Sequence, residues 1–311
     1  MSARQPELLR LRRWGLNARL RAGVVPAMAT PLLDDGYSLN EPALGKLIDF
    51  LIAAGVSGLF VGGTTGEGIV LGLETRLRLH ELAIARIAGR LPALLHVGAN
   101  TLAEAETLAL HAAELGADAI VAVTPYFYDL NEAGLLAYFQ HIGQCAPDTP
   151  LLAYDIPHLA VNGISPGLVG KLAAELPSFA GLKSSRPDAQ QIRQLIDAAP
   201  AEAPLWAGNE RITLASLTLG AHGLVSGLAT AVPEPLVALT AAFRAGNLEE
   251  ARRRQAQINQ ILDRLPAGVR IGALKAILSE RGIPAGPAVP PRPMPPAEQP
   301  LWPAIEALLN A

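Results

Sequence analysis

Residues 93–123, ALLHVGANTLAEAETLALHAAELGADAIVAV, contain the repeating unit from which the fold of this chain is predicted. The runs 93–97 and 119–123 are short and continuously apolar, which is typical of strands buried on both faces of a parallel sheet. Between them, apolar residues at 103–115 recur every three or four positions, as on one face of a helix. Gly116 then interrupts the pattern. This stretch predicts a strand, a helix and a second, parallel strand.

The same alternation continues on both sides of this unit. The predicted strands are 24–29, 58–61, 93–97, 119–123, 151–154, 179–182, 205–207 and 223–225, and the predicted helices between them are 41–54, 74–88, 103–115, 132–144, 166–175, 189–198 and 211–219. Eight such strands predict an α/β fold, the (β/α)8 or TIM barrel. The alternative is a doubly wound open sheet, which normally has a glycine-rich phosphate turn after its first strand. Here Ala29-Thr30-Pro31 follow that strand, and this favours the barrel.

The barrel is predicted to cover residues 23–232, with no second domain. Residues 1–22 read as an arginine-rich extension, an amphipathic helix rather than a signal peptide, because no continuous apolar core follows their twin arginine. Residues 233–283 are predicted to add a helical layer to the same domain, with helices near 233–245, 248–264 and 269–281. Residues 284–311 form a proline-rich tail and a terminal helix.

Composition excludes several classes of function. The net charge of −3 gives no strong field that would attract nucleic acid or an anionic membrane. No apolar run reaches the roughly 18 residues that a membrane helix needs. The single cysteine, Cys145, excludes a disulfide within the chain and fits a reducing, cytoplasmic setting. The histidines do not cluster with carboxylates at metal-ligand spacing along the sequence, so we expect no tightly bound metal.

One lysine stands at the end of a predicted strand, where active sites of such barrels form. The chain has only four lysines, and Lys46, Lys171 and Lys275 lie within helical patterns. Lys183 instead follows the apolar run 179–182 directly. Desolvation there favours the uncharged amine, which is a nucleophile. The alternative is a buried structural lysine paired with a carboxylate.

Three other strand ends offer candidate residues. Gly63, Thr64 and Thr65 suit a carboxylate, because glycine permits close approach of the backbone and hydroxyls lie beside exposed N–H groups; the alternative is an ordinary turn. Tyr154 can relay protons through its hydroxyl, or simply pack on a helix. Tyr126 belongs to an aromatic loop that lines the pocket, forms a subunit contact or only packs.

These motifs, in their order and spacing, resemble the dihydrodipicolinate synthase and N-acetylneuraminate lyase family of pyruvate-dependent class I aldolases. The resemblance runs from about Gly23 to Pro296. The matching motifs are Pro26-Ala27 with Thr30-Pro31, Gly63-Thr64-Thr65-Gly66-Glu67, Thr124-Pro125-Tyr126, Tyr154-Asp155-Ile156-Pro157, Gly181-Leu182-Lys183 and Gly223-Leu224-Val225-Ser226-Gly227.

The resemblance implies roles for these residues. Lys183 forms an imine with pyruvate or a larger 2-keto acid, Tyr154 shuttles protons, and Thr64 and Thr65 hold the keto-acid carboxylate. Val225 lines the site through its backbone carbonyl. The imine then stabilises the carbanion formed when a bond to an aldehyde unit breaks, without a metal or an organic cofactor. The resemblance also implies a homotetramer built from tight dimers, with the aromatic loop at the dimer contact.

Two departures from the family pattern bear on the substrate. Synthases place a second tyrosine where this chain has Phe127, and an arginine that binds the aldehyde's carboxylate where it has Leu159. Without that bidentate clamp, carboxylate binding weakens. We therefore expect an aldolase or lyase acting on another aldehyde adduct, with Asp155 and His158 contacting its polar groups or only shaping the loop. The alternatives are synthase activity, dehydration of a keto-deoxy sugar acid, and a catalytically silent protein that binds keto acids.

Overall fold

The computed structural model describes residues 5–310, with only the backbone of Gln5 and Pro6. Residues 1–4 of the predicted extension and residue 311 of the predicted tail lie outside this range. The strands are β1 (Val24–Pro26), β2 (Leu59–Val61), β3 (Ala93–His96), β4 (Ala119–Val123), β5 (Leu151–Asp155), β6 (Phe179–Ser184), β7 (Leu205–Ala207) and β8 (Gly223–Ser226).

Helices connect the strands and flank them at both chain ends. They are α1 (Gln5–Leu20), α2 (Glu41–Ala53), α3 (Leu73–Ile87), α4 (Leu102–Glu114), α5 (Glu132–Cys145), α6 (Pro157–Ala160), α7 (Pro166–Glu175), α8 (Ala189–Ala198), α9 (Thr213–Leu219), α10 (Glu234–Arg244), α11 (Leu248–Arg264), α12 (Arg270–Glu280) and α13 (Trp302–Leu309). Short 3-10 helices form at Gly68–Val70, Glu210–Ile212 and Leu228–Thr230. Among the described residues, no helix has both the length and the apolar character needed to span a membrane.

The eight strands belong to one sheet in the order β1-β8-β7-β6-β5-β4-β3-β2. The strands alternate with helices along the chain, and the predicted (β/α)8 fold is confirmed. Within the sheet the chain divides into two compact units, one made of the chain up to Ala22 with Pro92–Val225, the other of Gly23–Leu91 with the chain from Ser226 onward. The predicted domain boundaries stay a prediction.

In the first unit, consecutive strands from β3 to β8 pair in parallel, and every strand residue is buried. Helix α1 joins this unit through buried Leu9, Leu16 and Leu20. The imidazole Nε2 of His222 lies 2.9 Å from the carbonyl oxygen of Asn17, which ties the end of α1 to the start of β8. Burial lowers the pKa of His222. The predicted extension is thus helical and packed over its described part.

In the second unit, a parallel bridge between Ala27 and Phe60 links the strand segments β1 and β2. Helices α10 and α11 pack together, and α13 packs on α11. The segment after α12 runs back to the β1 loop, where the amide of Leu32 donates to the carbonyl of Ala285 at 3.0 Å. The predicted helical layer and terminal helix are therefore present, with an extended segment between them.

Candidate active site

The register between β5 and β6 places Tyr154 directly beside Lys183. Leu151 pairs with Phe179, but Leu152 pairs with Gly181, so Ala180 is an extra residue on β6. Beyond this bulge, Tyr154 pairs with Lys183. Because side chains alternate between the two faces of a sheet, the bulge decides the face to which every later residue of β6 points. Without it, Leu182 would stand opposite Tyr154.

Gly181 is the residue that allows this bulge. Its φ of +143° lies in a region that residues with a side chain rarely adopt. A Cβ atom there would lie 2.4 Å from the carbonyl oxygen of Pro204 and 2.5 Å from Cζ3 of Trp206. Position 181, two residues before Lys183, therefore requires glycine for two reasons. Its backbone conformation disfavours a side chain, and its neighbours leave no space for one.

Lys183 on β6 and Tyr154 on β5 form a buried pair. Their relative exposures are 5% and 2%. The Nζ atom of Lys183 lies 3.9 Å from the centroid of the Tyr154 ring. The ring of His96 meets the same tyrosine edge-on, with centroids 6.5 Å apart. An amine in such a position is shielded from water and lies beside an aromatic ring that carries a hydroxyl.

A buried ion pair fixes the loops that follow β5 and β6. Asp155 is fully buried, and its carboxylate accepts hydrogen bonds from Nε of Arg186 at 2.7 Å, from Oγ of Ser184 at 2.7 Å and from the amide of Ile164 at 2.8 Å. Arg186 also donates to the carbonyl of Ile164 and to the side chain of Gln191. This network favours the loop-shaping alternative for Asp155, and its contact with substrate stays a prediction.

Asn162 joins the loop after β5 to the loop after β4. Its side-chain amide donates to the carbonyl oxygens of Pro125 at 2.7 Å and Tyr128 at 2.8 Å, and its carbonyl oxygen accepts from the amide of Leu130 at 2.8 Å. The amide of Tyr126 in the same loop donates to Oδ1 of Asn100. The half-buried Tyr126 thus stands on a loop whose backbone is held at several points.

The other tips of these loops face outward. Phe127 and Tyr128 are 76% and 72% exposed and stack edge-on against each other. His158 and Leu159 lie exposed on the four-residue helix α6. Val225, in contrast, is buried in β8. Position 159 therefore offers an exposed apolar side chain.

In the second unit, the turn after β2 brings its backbone groups into very close packing. A Cβ atom at Gly63 would lie 2.5 Å from the ring of Phe60, and one at Gly68 would lie 1.9 Å from the carbonyl oxygen of Gly62. Thr64 and Thr65 at the tip are half-buried. The glycines of this turn are thus required by close approach of the chain to itself, and the two threonines remain partly accessible.

Glu67 holds this turn in place through its buried carboxylate. It adopts a left-handed conformation with φ of +58°, and its fully buried side chain pairs with Nζ of Lys275 at 2.8 Å. Its other oxygen accepts from the amide of Val289 at 2.8 Å, while Lys275 donates to the carbonyl of Pro287. Burial lowers the pKa of Lys275, and the Glu67 carboxylate opposes that shift. The C-terminal segment thereby holds the threonine turn.

Sequence reasoning did not identify three residues that organise these loops. Arg186 and Asn162 lie within loops, and Lys275 was interpreted as a solvated helical residue. The position of Arg186 three residues after Lys183 could have pointed to it. The pairing of Lys275 with Glu67 spans more than two hundred residues, and only the fold reveals it.

Comparison with known proteins gives a consistent result. Residues 20–311 match the profile of the dihydrodipicolinate synthetase family. A 4-hydroxy-tetrahydrodipicolinate synthase from Exiguobacterium is 36% identical over 88% of this chain and 92% of the relative. An N-acetylneuraminate lyase from Rhizobium meliloti is 32% identical over 86% of this chain and 87% of the relative.

Solved structures give the same family. A sialic acid aldolase from Ruminococcus gnavus, solved as a catalytic lysine mutant, superposes with a TM-score of 0.89 at 28% identity, covering 94% of this chain and 97% of that one. The prophage protein YagE of E. coli K12, from the dihydrodipicolinic acid synthase family and in complex with pyruvate, gives a TM-score of 0.87 at 28% identity, with coverages of 93% and 99%.

Proposed function

This chain belongs to the dihydrodipicolinate synthetase family, and from that premise we propose that Lys183 is the amine with which it forms a Schiff base. The family membership makes the protein an enzyme, a carbon–carbon lyase of the pyruvate-dependent class I aldolase type.

The observation that supports the assignment most directly is the buried pairing of Lys183 with Tyr154 beyond the bulge in β6. Both side chains are buried, so the amine stands away from bulk water beside the ring that carries the Tyr154 hydroxyl. The similar sialic acid aldolase from Ruminococcus gnavus was solved as a mutant of its catalytic lysine. A catalytic lysine in that relative supports the assignment of Lys183 as the reacting amine here.

The chemistry then follows from the imine. The Lys183 nitrogen attacks the keto carbon, the carbonyl oxygen takes up protons and leaves as water, and a protonated imine remains. In the cleavage direction, the hydroxyl on the β-carbon gives up its proton through the Tyr154 hydroxyl, and the bond between the α- and β-carbons of the imine breaks. The electron pair of that bond moves into the imine, which becomes an enamine, and the β-carbon leaves as the aldehyde. The α-carbon of the enamine then takes up a proton, and water hydrolyses the imine to release pyruvate and restore the Lys183 amine. Covalent catalysis thus divides one difficult step into easier ones.

We assign the carboxylate of the keto acid to the turn that contains Gly63, Thr64 and Thr65. Two partly accessible hydroxyls on a tightly packed backbone suit an anion, because exposed N–H groups and hydroxyl dipoles favour negative charge. Thr64 is further proposed to take part in proton transfer, and Val225 to line the site through its backbone. The chemistry assigned to these side chains requires neither a metal nor an organic cofactor.

The proposed acceptor is an aldehyde that carries no carboxylate, such as the open chain of an amino sugar. Leu159 is apolar and exposed where a synthase would place an arginine. Phe127 provides no hydroxyl. The 36% identity to a named synthase keeps synthase activity as the second candidate. Tyr126, Asp155 and His158 remain proposed contacts of the acceptor.

An assay of pyruvate release distinguishes these functions. Purified protein is incubated with N-acetylneuraminate and with a set of keto-deoxy sugar acids, and pyruvate is measured with lactate dehydrogenase. The proposal predicts release that Lys183→Arg abolishes, because arginine stays protonated. Loss of water from a keto-deoxy sugar acid without pyruvate release would identify a dehydratase. Condensation of pyruvate only with an aldehyde that carries a carboxylate would identify a synthase, and no turnover at all would leave a binding protein.

We also propose a homotetramer built from tight dimers and a cytoplasmic location. The exposed aromatic pair Phe127 and Tyr128 on the β4 loop supports a subunit contact there, since large exposed aromatic side chains are typical of interfaces. The single cysteine supports a reducing compartment. Light scattering of the purified chain tests the tetramer, and fractionation of the native cells tests the location.

A further inference from the structure

Three potential metal ligands meet on the outer helices of the first unit. Glu106 lies on α4, and His141 and Cys145 lie four residues apart on α5. The two helices pack against each other. A carboxylate oxygen of Glu106, a ring nitrogen of His141 and the Sγ atom of Cys145 all lie within 4.8 Å of one another. Within residues 5–310, these three are the histidine, cysteine and acidic side chains that lie close enough together to bind one metal ion.

The spacing of these atoms fits a small tetrahedral ion. Bond lengths of about 2.0 to 2.3 Å place two ligand atoms of one zinc ion roughly 3.3 to 3.8 Å apart. The side chains therefore need to move by no more than about 1 Å to coordinate one ion. Residues at positions i and i+4 share one face of a helix, which is the arrangement that helical zinc motifs use.

The types of ligand select the metal. A thiolate and an imidazole bind borderline and soft ions, and neither suits calcium or magnesium, which prefer all-oxygen sites. The Oε2 atom of Glu106 already lies 3.0 Å from Nε2 of His141, so the two groups that would coordinate the ion are oriented toward each other. Both side chains are partly exposed, at 46% and 36%, so an ion has access from solvent.

We propose that Glu106, His141 and Cys145 form a binding site for Zn²⁺ or a similar transition-metal ion, with water completing the coordination. Binding releases the thiol proton of Cys145 to solvent. The ion takes the place of the hydrogen bond between His141 and Glu106, and the imidazole proton shifts from Nε2 to Nδ1 so that Nε2 can bind the ion. The ion links α4 to α5, two helices that pack against each other. The site lies outside the Schiff-base chemistry, because none of its three side chains takes part in the steps assigned to Lys183.

Sequence reasoning could not find this cluster. Glu106 precedes His141 by 35 residues, and the local sequence around each resembles an ordinary amphipathic helix. Only the packing of consecutive barrel helices brings them together.

Cobalt provides the test, because a Co²⁺ thiolate bond gives a near-ultraviolet charge-transfer band and tetrahedral Co²⁺ absorbs in the visible. The full-length protein, freed of metal by chelation, is titrated with CoCl2 and then with ZnCl2. We expect one Co²⁺ per chain, a thiolate band, and its loss when Zn²⁺ displaces the cobalt. ZnCl2 is also expected to raise the melting temperature, since a ligand that binds only the folded state stabilises it.

Variants identify the ligands. Cys145→Ser is expected to abolish the thiolate band, and His141→Gln and Glu106→Gln to weaken cobalt binding by tenfold or more. His111→Gln, on α4 but outside the cluster, is the matched control and is expected to bind as the wild type does. Thermal melts without metal verify that each variant folds. Absence of the band from the wild type, or Co²⁺ binding by Cys145→Ser and His141→Gln that is as tight as that of the wild type, would overturn the proposal.

Discussion

Replacing Gly181 by alanine tests whether the bulge in β6 places the amine of Lys183. The glycine stands two residues before the lysine, on the strand that brings Lys183 into register with Tyr154. Alanine adds a single methyl group and changes no charge. Any effect therefore arises from backbone conformation and packing.

The magnitude follows from two terms. A side chain at a φ of +143° is strained by about 1 to 3 kcal/mol. The added Cβ would lie 2.4 Å from the carbonyl oxygen of Pro204 and 2.5 Å from Trp206, and overpacking of this kind typically adds about 1 to 3 kcal/mol. Gly181→Ala is thus expected to lower the free energy of unfolding by roughly 2 to 6 kcal/mol. For a chain of this size that corresponds to a drop of roughly 3 to 9 °C in melting temperature.

The same change is expected to move Lys183. The amide of Leu182 donates to the carbonyl of Pro204 at 3.0 Å, so relief of the clash pushes β6 away from β7 just before the lysine. A displacement of about 1 Å of a reacting group can slow a reaction about 100-fold. The rate of borohydride-dependent trapping of pyruvate should therefore fall together with stability.

The assay compares Gly181→Ala with Gly170→Ala, which lies on the exposed face of α7 with no atom within 4 Å of the position that the added methyl group would take. The control should gain about 0.5 to 1 kcal/mol, because alanine favours a helix over glycine. Melting temperature and trapping rate are measured for both. Wild-type stability and an unchanged trapping rate in Gly181→Ala would refute the role assigned to the bulge.

Three further predictions concern proton transfer, loop anchoring and pH. Tyr154→Phe should keep pyruvate binding but slow turnover by about 100-fold or more, the usual contribution of a positioned acid–base group, and equal turnover would remove the hydroxyl from the mechanism. Arg186→Met leaves the buried carboxylate of Asp155 without its charge partner and should lower the free energy of unfolding in urea by about 3 to 5 kcal/mol. The control Arg193→Met removes an exposed ion pair and should lower it by less than about 1 kcal/mol. Because burial lowers the pKa of His222 in the folded protein, the unfolded chain binds more protons below about pH 6.5, so stability should fall as the pH falls through that region. In unfolding curves between pH 5 and 8, roughly the range in which histidine titrates, His222→Gln should lose this component, and an identical pH profile would contradict it.

The fold could be predicted from sequence because its elements are local and strongly patterned. The continuous apolar runs predicted β4 and β7 with their observed bounds, and the helical periodicity did so for α7, α8 and α11. The differences lie at the ends of strands and helices and in one short helix. The predicted first strand extended to residue 29, but β1 ends at Pro26, whose ring removes the N–H that regular strand pairing would use. The helix α6 was not predicted, because four residues are too few to show a period.

The candidate site also contains residues that the sequence could predict and others that only the structure reveals. Lys183 and Tyr154 were predicted as site residues because both stand at strand ends, and strand ends are visible in sequence. The ion pair of Arg186 with Asp155 was missed because its partners lie 31 residues apart in different loops. The bulge at Gly181 was also missed, since hydrophobic pattern does not reveal a register shift in a strand that is buried on both faces.

The central claim is that Lys183 forms a covalent imine with pyruvate. The protein is incubated with pyruvate and sodium borohydride, digested, and analysed by mass spectrometry. The account predicts one reduced pyruvate adduct per chain, on the peptide that contains Lys183 and absent from Lys183→Arg. An adduct on any other lysine, or an unmodified Lys183 after full exposure to both reagents, would contradict it.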